Sequence, residues 1–175
     1  MKTILKLLLI PILFFLFATS CKKEDDLPKA TQTGAGVFAA KINGATWEAG
    51  ACWSCFGGGS GLSINYDNLT FFGISGKNKD KKFTVSIVIE NLKNTGTFIL
   101  GNGKGSNTAS NYAAVYTSPN NFYTSNSTTG KITITKLDTN SKIISGTFEF
   151  TAEDERDPSN IMKITEGRFD VKYVN

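Results

Sequence analysis

Apolar and polar residues alternate with a period of two through most of this chain, and that pattern decides what it can fold into. The longest example is Ile144, Gly146, Phe148, Phe150 and Ala152, interleaved with Ser145, Thr147, Glu149 and Thr151. Successive side chains of an extended strand point to opposite faces, so such a segment buries one face and wets the other. An amphipathic helix needs apolar positions three and four apart, and no convincing example follows residue 26.

The alternation recurs along the chain. Phe83, Val85, Ile87 and Ile89 share a face. Phe38, Ala40 and Ile42 lead into Asn43-Gly44, and Ala45, Trp47 and Ala49 carry the apolar face onward. Asn-Gly tolerates the positive φ of a type I′ turn, which predicts a tight hairpin with Trp47 in the core. Residues 62–66 and 69–75, joined at Asp67-Asn68, predict a second hairpin. Further strands are expected over 97–100, 112–117 and 131–137, with turns at 118–121 and 138–141. In the last strand the inward phase moves from Met162 and Ile164 to Phe169, Val171 and Tyr173. One extra residue near Glu166-Gly167 does this, so a β-bulge is predicted there. About ten short strands with polar turns predict an all-β antiparallel β-sandwich, with a calycin-like β-barrel as the alternative.

The amino end obeys different rules. Lys2 and Lys6 precede a 12-residue apolar run from Leu7 to Ala18, followed by Thr19, Ser20 and Cys21. A transmembrane helix needs about 20 apolar residues, so the run reads as the h-region of a secretory signal. Small residues ending in a cysteine resemble the lipobox of bacterial lipoproteins, which implies a lipid on Cys21 and cleavage before it. Lys23, Glu24, Asp25 and Asp26 follow and resemble the surface-export signal of Bacteroidetes lipoproteins. The expected location is the outer membrane, facing outward, with a periplasm-facing lipoprotein as the alternative. Residues 1–20 are thus the signal, 21–36 a lipidated start and flexible tether, and 37–175 one domain. Loss of Lys2 and Lys6 lowers the 19 basic residues to 17 against 15 acids. So small a surplus gives no footprint for nucleic acid.

The order of lipobox, "FAAKINGATWEA", "GKITITKLD", "ISGTFEFTA" and "ITEGRFDVKY" resembles an uncharacterised group of Bacteroidetes lipoproteins of the DUF6252 type. The resemblance implies a compartment and an all-β fold. It brings no activity, substrate or functional residue.

Candidate chemistry is sparse. Cys52 and Cys55 suit a local disulfide if the chain turns there, since residues three apart on a strand lie about 10 Å apart. Free thiols, or a redox or metal role, are the alternatives. The glycines at 57–59 and 61 lack the Lys-Ser/Thr and helix of a phosphate loop. Glu153, Asp154, Glu155 and Asp157 form either a solvated loop or a calcium site, without the spacing of an EF-hand. The chain has no histidine, so the commonest general base is missing. No catalytic residue, cofactor or metal ligand is assigned. Tyr112, Tyr116, Phe122 and Tyr123 lie in a stretch rich in Asn, Ser and Thr and are candidates for a glycan or protein platform, or for core packing. The expected role is a lipid-anchored envelope domain that binds a ligand or serves a structural purpose. A carboxylate-dependent hydrolase is the alternative.

Overall fold

The computed structural model describes residues 27–50, 61–67, 71–78, 83–101 and 111–174. These carry eleven strands: β1 (Val37–Ile42), β2 (Ala45–Glu48), β3 (Leu62–Tyr66), β4 (Phe71–Lys77), β5 (Thr84–Glu90), β6 (Gly96–Leu100), β7 (Tyr112–Tyr116), β8 (Asn121–Tyr123), β9 (Gly130–Asp138), β10 (Ile143–Asp154) and β11 (Ile161–Lys172). All their pairings are antiparallel. The fold is therefore all-β, as the alternation requires.

The strands form one curled sheet in the order β2-β1-β11-β10-β8-β7-β5-β4-β3, with β9 and then β6 branching from β10. The cause is the length of β10. Its first eight residues pair with β9, and its last two pair with β8. One layer, β2-β1-β11-β10-β9-β6, thus folds over another, β8-β7-β5-β4-β3. Phe72 of β4 meets Phe169 of β11 at a ring separation of 6.0 Å, and Tyr66 of β3 meets Tyr173 at 5.0 Å. A single bridge from Ala49 to Asn78 brings the end of β2 back to the end of β4. The molecule is a sandwich whose layers are joined at two corners, between the two expected architectures. Two strands, β10 and β11, run 12 residues rather than being short.

Local expectations hold where the chemistry is local. Asn43 and Gly44 take φ values of 49° and 84°, and Ile42 pairs with Ala45. Trp47 is buried edge-on against Phe38, ring centres 5.3 Å apart. The bulge falls in β11, where Phe148 opposes Gly167 but Phe150 opposes Ile164. Its left-handed residue is Glu166, φ 54°, rather than the glycine. Gly167 answers a different need, because a Cβ there would come within 2.5 Å of the Phe148 ring. Strand β8 was not expected, since three residues offer too little alternation to register.

The amino-terminal segment departs from expectation. Residues 27–36 are docked on the domain instead of forming part of a free tether. Leu27 is buried. Arg168 donates to the Pro28 carbonyl at 3.1 Å, and Lys136 to that of Gln32 at 3.0 Å. The centre of the contact is Asp170, on β11 and only 1% exposed. One of its oxygens accepts from the Thr31 hydroxyl (2.6 Å) and from the Thr33 and Ala35 amides (2.9 and 3.1 Å). The other accepts from the Gly34 amide and the Ser145 hydroxyl, both at 2.7 Å. Gly34 and Gly36 at φ 75° and 78° let consecutive amides turn toward one carboxylate. Burial alone would raise the Asp170 pKa. The hydrogen bonds from Thr31, Ser145, Ala35 and Gly34 outweigh it and hold the carboxyl well below the usual carboxylate range.

Candidate functional site

The strand register gathers three of the four candidate aromatics on the outer face of the β8-β7-β5-β4-β3 layer. On β7, Ala113 and Val115 point into the core, so Tyr112, Ala114 and Tyr116 point out. Tyr123 of β8 stands opposite Ala114 and therefore joins them. The Tyr116 and Tyr123 rings meet edge-on at 5.9 Å and 85°. All three tyrosines are half-buried. Phe122 belongs elsewhere: it pairs with Val115, faces inward and is 4% exposed, so it is a core residue and not part of the platform. Period-two geometry forces this, because Phe122 and Tyr123 are adjacent on one strand.

The phenols interact. Burial, then the nearby Tyr123 and Tyr112, then a hydrogen bond to Tyr123 push the Tyr116 hydroxyl up to about 12. Burial and the charge of Glu155 raise Tyr123, while the same hydrogen bond lowers it.

Three serines and the buried Ala114 form a row that runs up to Tyr123. Ser63, Ser75, Ser86, Ala114 and Tyr123 face one another in turn across β3, β4, β5, β7 and β8. Four strand spacings make this row about 19 Å long. A shallow depression of about 170 Å³ sits on it, lined by Ser63, Asn65, Gly73, Ile74, Ser75 and Ser86. Asn65, Gly73, Val88 and Tyr112 form the next row. Hydroxyls and an amide in a trough of small side chains, flanked by aromatic rings, can hydrogen-bond and stack on the same ligand. The aromatic half of this face is legible in the sequence. The serine half is not, because Ser63, Ser75 and Ser86 come from separate strands.

The opposite outer face, on β9, β10 and β11, holds two adjoining depressions of about 360 and 390 Å³. Lys131 and Glu149 line both and pair at 2.9 Å. Glu166 lines the first and pairs with Lys41 at 2.7 Å. Ala30, from the docked strap, forms part of its wall. The two carboxylates there are about half exposed, and each is paired with a lysine.

The acidic loop does not converge. Asp154 turns inward and accepts from the Asn120 and Asn160 amides at 2.6 and 3.1 Å and from the Arg156 backbone at 2.9 Å. Asp157 accepts from the Ser159 amide and hydroxyl. Among the described residues, every buried side-chain nitrogen and oxygen has a hydrogen-bond partner. Asp154 and Asp170 are therefore occupied in holding loops. Asp170 was missed in the sequence, where it reads as an outward residue of an alternating strand. Cys21, Lys23, Glu24, Asp25, Asp26, Cys52 and Cys55 lie outside the described residues.

Comparison with known proteins identifies one family. A family model described as a domain of unknown function, DUF6252, matches residues 34–171. No curated protein and no solved structure matches the chain.

Proposed function

The chain belongs to the DUF6252 family, whose description carries no activity, and from that premise we propose that it is a lipid-anchored envelope domain that binds glycans on its tyrosine face. The observation that supports this reading is the row of Ser63, Ser75, Ser86 and Ala114 running up to Tyr123, with Tyr112 and Tyr116 beside it. Sugar rings offer apolar C–H faces that stack on phenols and hydroxyls that pair with serine and asparagine. A protein ligand would use the same aromatics, but a trough of small polar residues suits a narrow polar chain better.

Attachment follows from the sequence: a lipid on Cys21, with the run Lys23-Glu24-Asp25-Asp26 directing the protein to the cell surface in a Bacteroidetes-type envelope. Cys21→Ser should release the protein from the membrane fraction. Alanines at 23–26 should remove its protease accessibility on whole cells while leaving it membrane-bound.

The binding test is a glycan array and calorimetry with a soluble fragment that starts at Leu27, so that the strap is retained. Tyr112→Ala and Tyr123→Ala should each weaken binding about five- to thirtyfold, since stacking on an aromatic is worth ~1–2 kcal/mol. Binding that survives both substitutions would refute the tyrosine face. The hydrolase alternative points to Glu149 and Glu166 in one depression, and their lysine partners weaken it.

A further inference from the structure

We propose that the face crossed by the strap, the outer side of β9, β10 and β11, is the one this protein turns to the lipid surface, and that docking of the strap enforces it. The inference rests on the reading of Cys21 as the lipidated residue. It adds an orientation, which lipidation alone does not supply.

Reach sets the orientation. If the chain were free up to Val37, sixteen residue steps from Cys21 would extend about 55 Å. A domain of this size has a radius of gyration of about 14 Å and is some 37 Å across. Such a tether would let any face meet the membrane. The strap removes that freedom. With Leu27 buried and the segment after it held by Arg168, Lys136 and Asp170, six residue steps separate Cys21 from the docked strap. Six steps span at most about 20 Å, about half the domain's width. The lipid must enter the bilayer close to the point where the strap leaves the protein. Pro28 lies on Arg168, and Ala30 lies beside Thr133, Thr147 and Glu166, so that point belongs to the β9-β10-β11 face.

Charge agrees with geometry. On this face Lys41, Lys131 and Lys136 are matched by Glu166, Glu149 and Asp138. Lys29 in the strap, Lys163 beside the second depression and Lys172 beside Gly34 are exposed in addition. A surplus of lysines suits anionic headgroups. The tyrosine face, on the far layer, shows only Lys77 and Glu90 in its described strand rows. It would then project away from the membrane, where a glycan can reach it.

The test uses the full lipidated chain on vesicles of phosphatidylethanolamine and phosphatidylglycerol. Lysines are acylated with an amine-reactive reagent and the modified peptides mapped. Lys29, Lys163 and Lys172 should react severalfold more slowly in the vesicle-bound protein than in soluble Cys21→Ser, while Lys77 reacts at the same rate in both. A long glycine-serine insert between Asp26 and Leu27 should abolish that protection and leave the protein vesicle-bound. Equal labelling of both faces in the bound protein, or protection of Lys77 instead, would overturn the orientation. Protection that persists with the insert would overturn the part given to the strap. Failure of the unaltered chain to float with the vesicles would instead refute the lipid anchor, and the inference with it.

Discussion

The two outer faces of the sandwich are built from the same kind of alternating strand and end in opposite states. On the β9-β10-β11 face, polar groups satisfy one another within the chain. Asp170 takes donors from the strap and from Ser145, and each glutamate of the depression has a lysine. On the β3-β4-β5-β7-β8 face, serines line an open trough and the Tyr116 and Tyr123 rings pack edge-on beside it. A strand pattern specifies that a face is polar. Whether that face is closed or left available depends on what the rest of the chain lays over it.

Asp170→Ala is the severest way to break this contrast. It strands several donors, one of them the buried hydroxyl of Ser145, and should cost about 3–5 kcal/mol in denaturant unfolding. Hydrogen exchange of residues 31–35 should accelerate with it. Asp170→Asn gives the pH signature. The native carboxyl titrates below the unfolded one, so the unfolded chain binds more protons in acid and stability rises with pH. The contribution is complete above about pH 4 and is lost as pH falls below that. Asn at 170 should flatten this acid limb. Asp138, lowered by hydrogen bonds from Ser141, and Asp157, lowered by those from Ser159, act with the same sign and should leave a residual slope.

Gly167→Ala tests the frame that both faces share. Its Cβ would press on the Phe148 ring, and overpacking of this kind costs about 1–3 kcal/mol. A shift in thermal midpoint without change in ligand binding is the expected result.

The smallest effect belongs to the open face. Tyr116→Phe removes one phenol hydrogen bond and should cost about 0.5–1 kcal/mol. Its signature lies in alkali. Because the native phenol titrates near 12 against an ordinary value of 10, the native state holds a proton that the unfolded chain loses. Stability therefore falls as pH rises from about 10 to 12. Ultraviolet titration should show one phenol transition near pH 12 that disappears in Tyr116→Phe. An unchanged titration would mean that the three tyrosines do not form a group.

Some of this architecture is legible residue by residue. Asn43-Gly44 announces its hairpin because the turn's φ values are a property of those two residues. The phase shift between Ile164 and Phe169 announces the bulge because every residue on the strand reports its face. Phe122 shows the limit. Its composition-rich neighbourhood suggests a platform, while its parity relative to Tyr123, read against the neighbouring strand, sends it inward. The tether shows another: Thr31, Thr33 and Gly34 read as a polar linker because their partner, Asp170, lies more than 130 residues away.

By itself the sequence determined the all-β class, the Asn43-Gly44 hairpin, the bulge and the family, because each follows from periodicity or from residues adjacent in the chain. The tertiary structure alone decided that β10 would join both layers, that Ser63, Ser75 and Ser86 would meet Tyr123 in one row, and that residues 27–36 would bind the domain. Each of those depends on cross-strand register or on a contact between distant segments. Such pairing energies involve residues that no local pattern brings together.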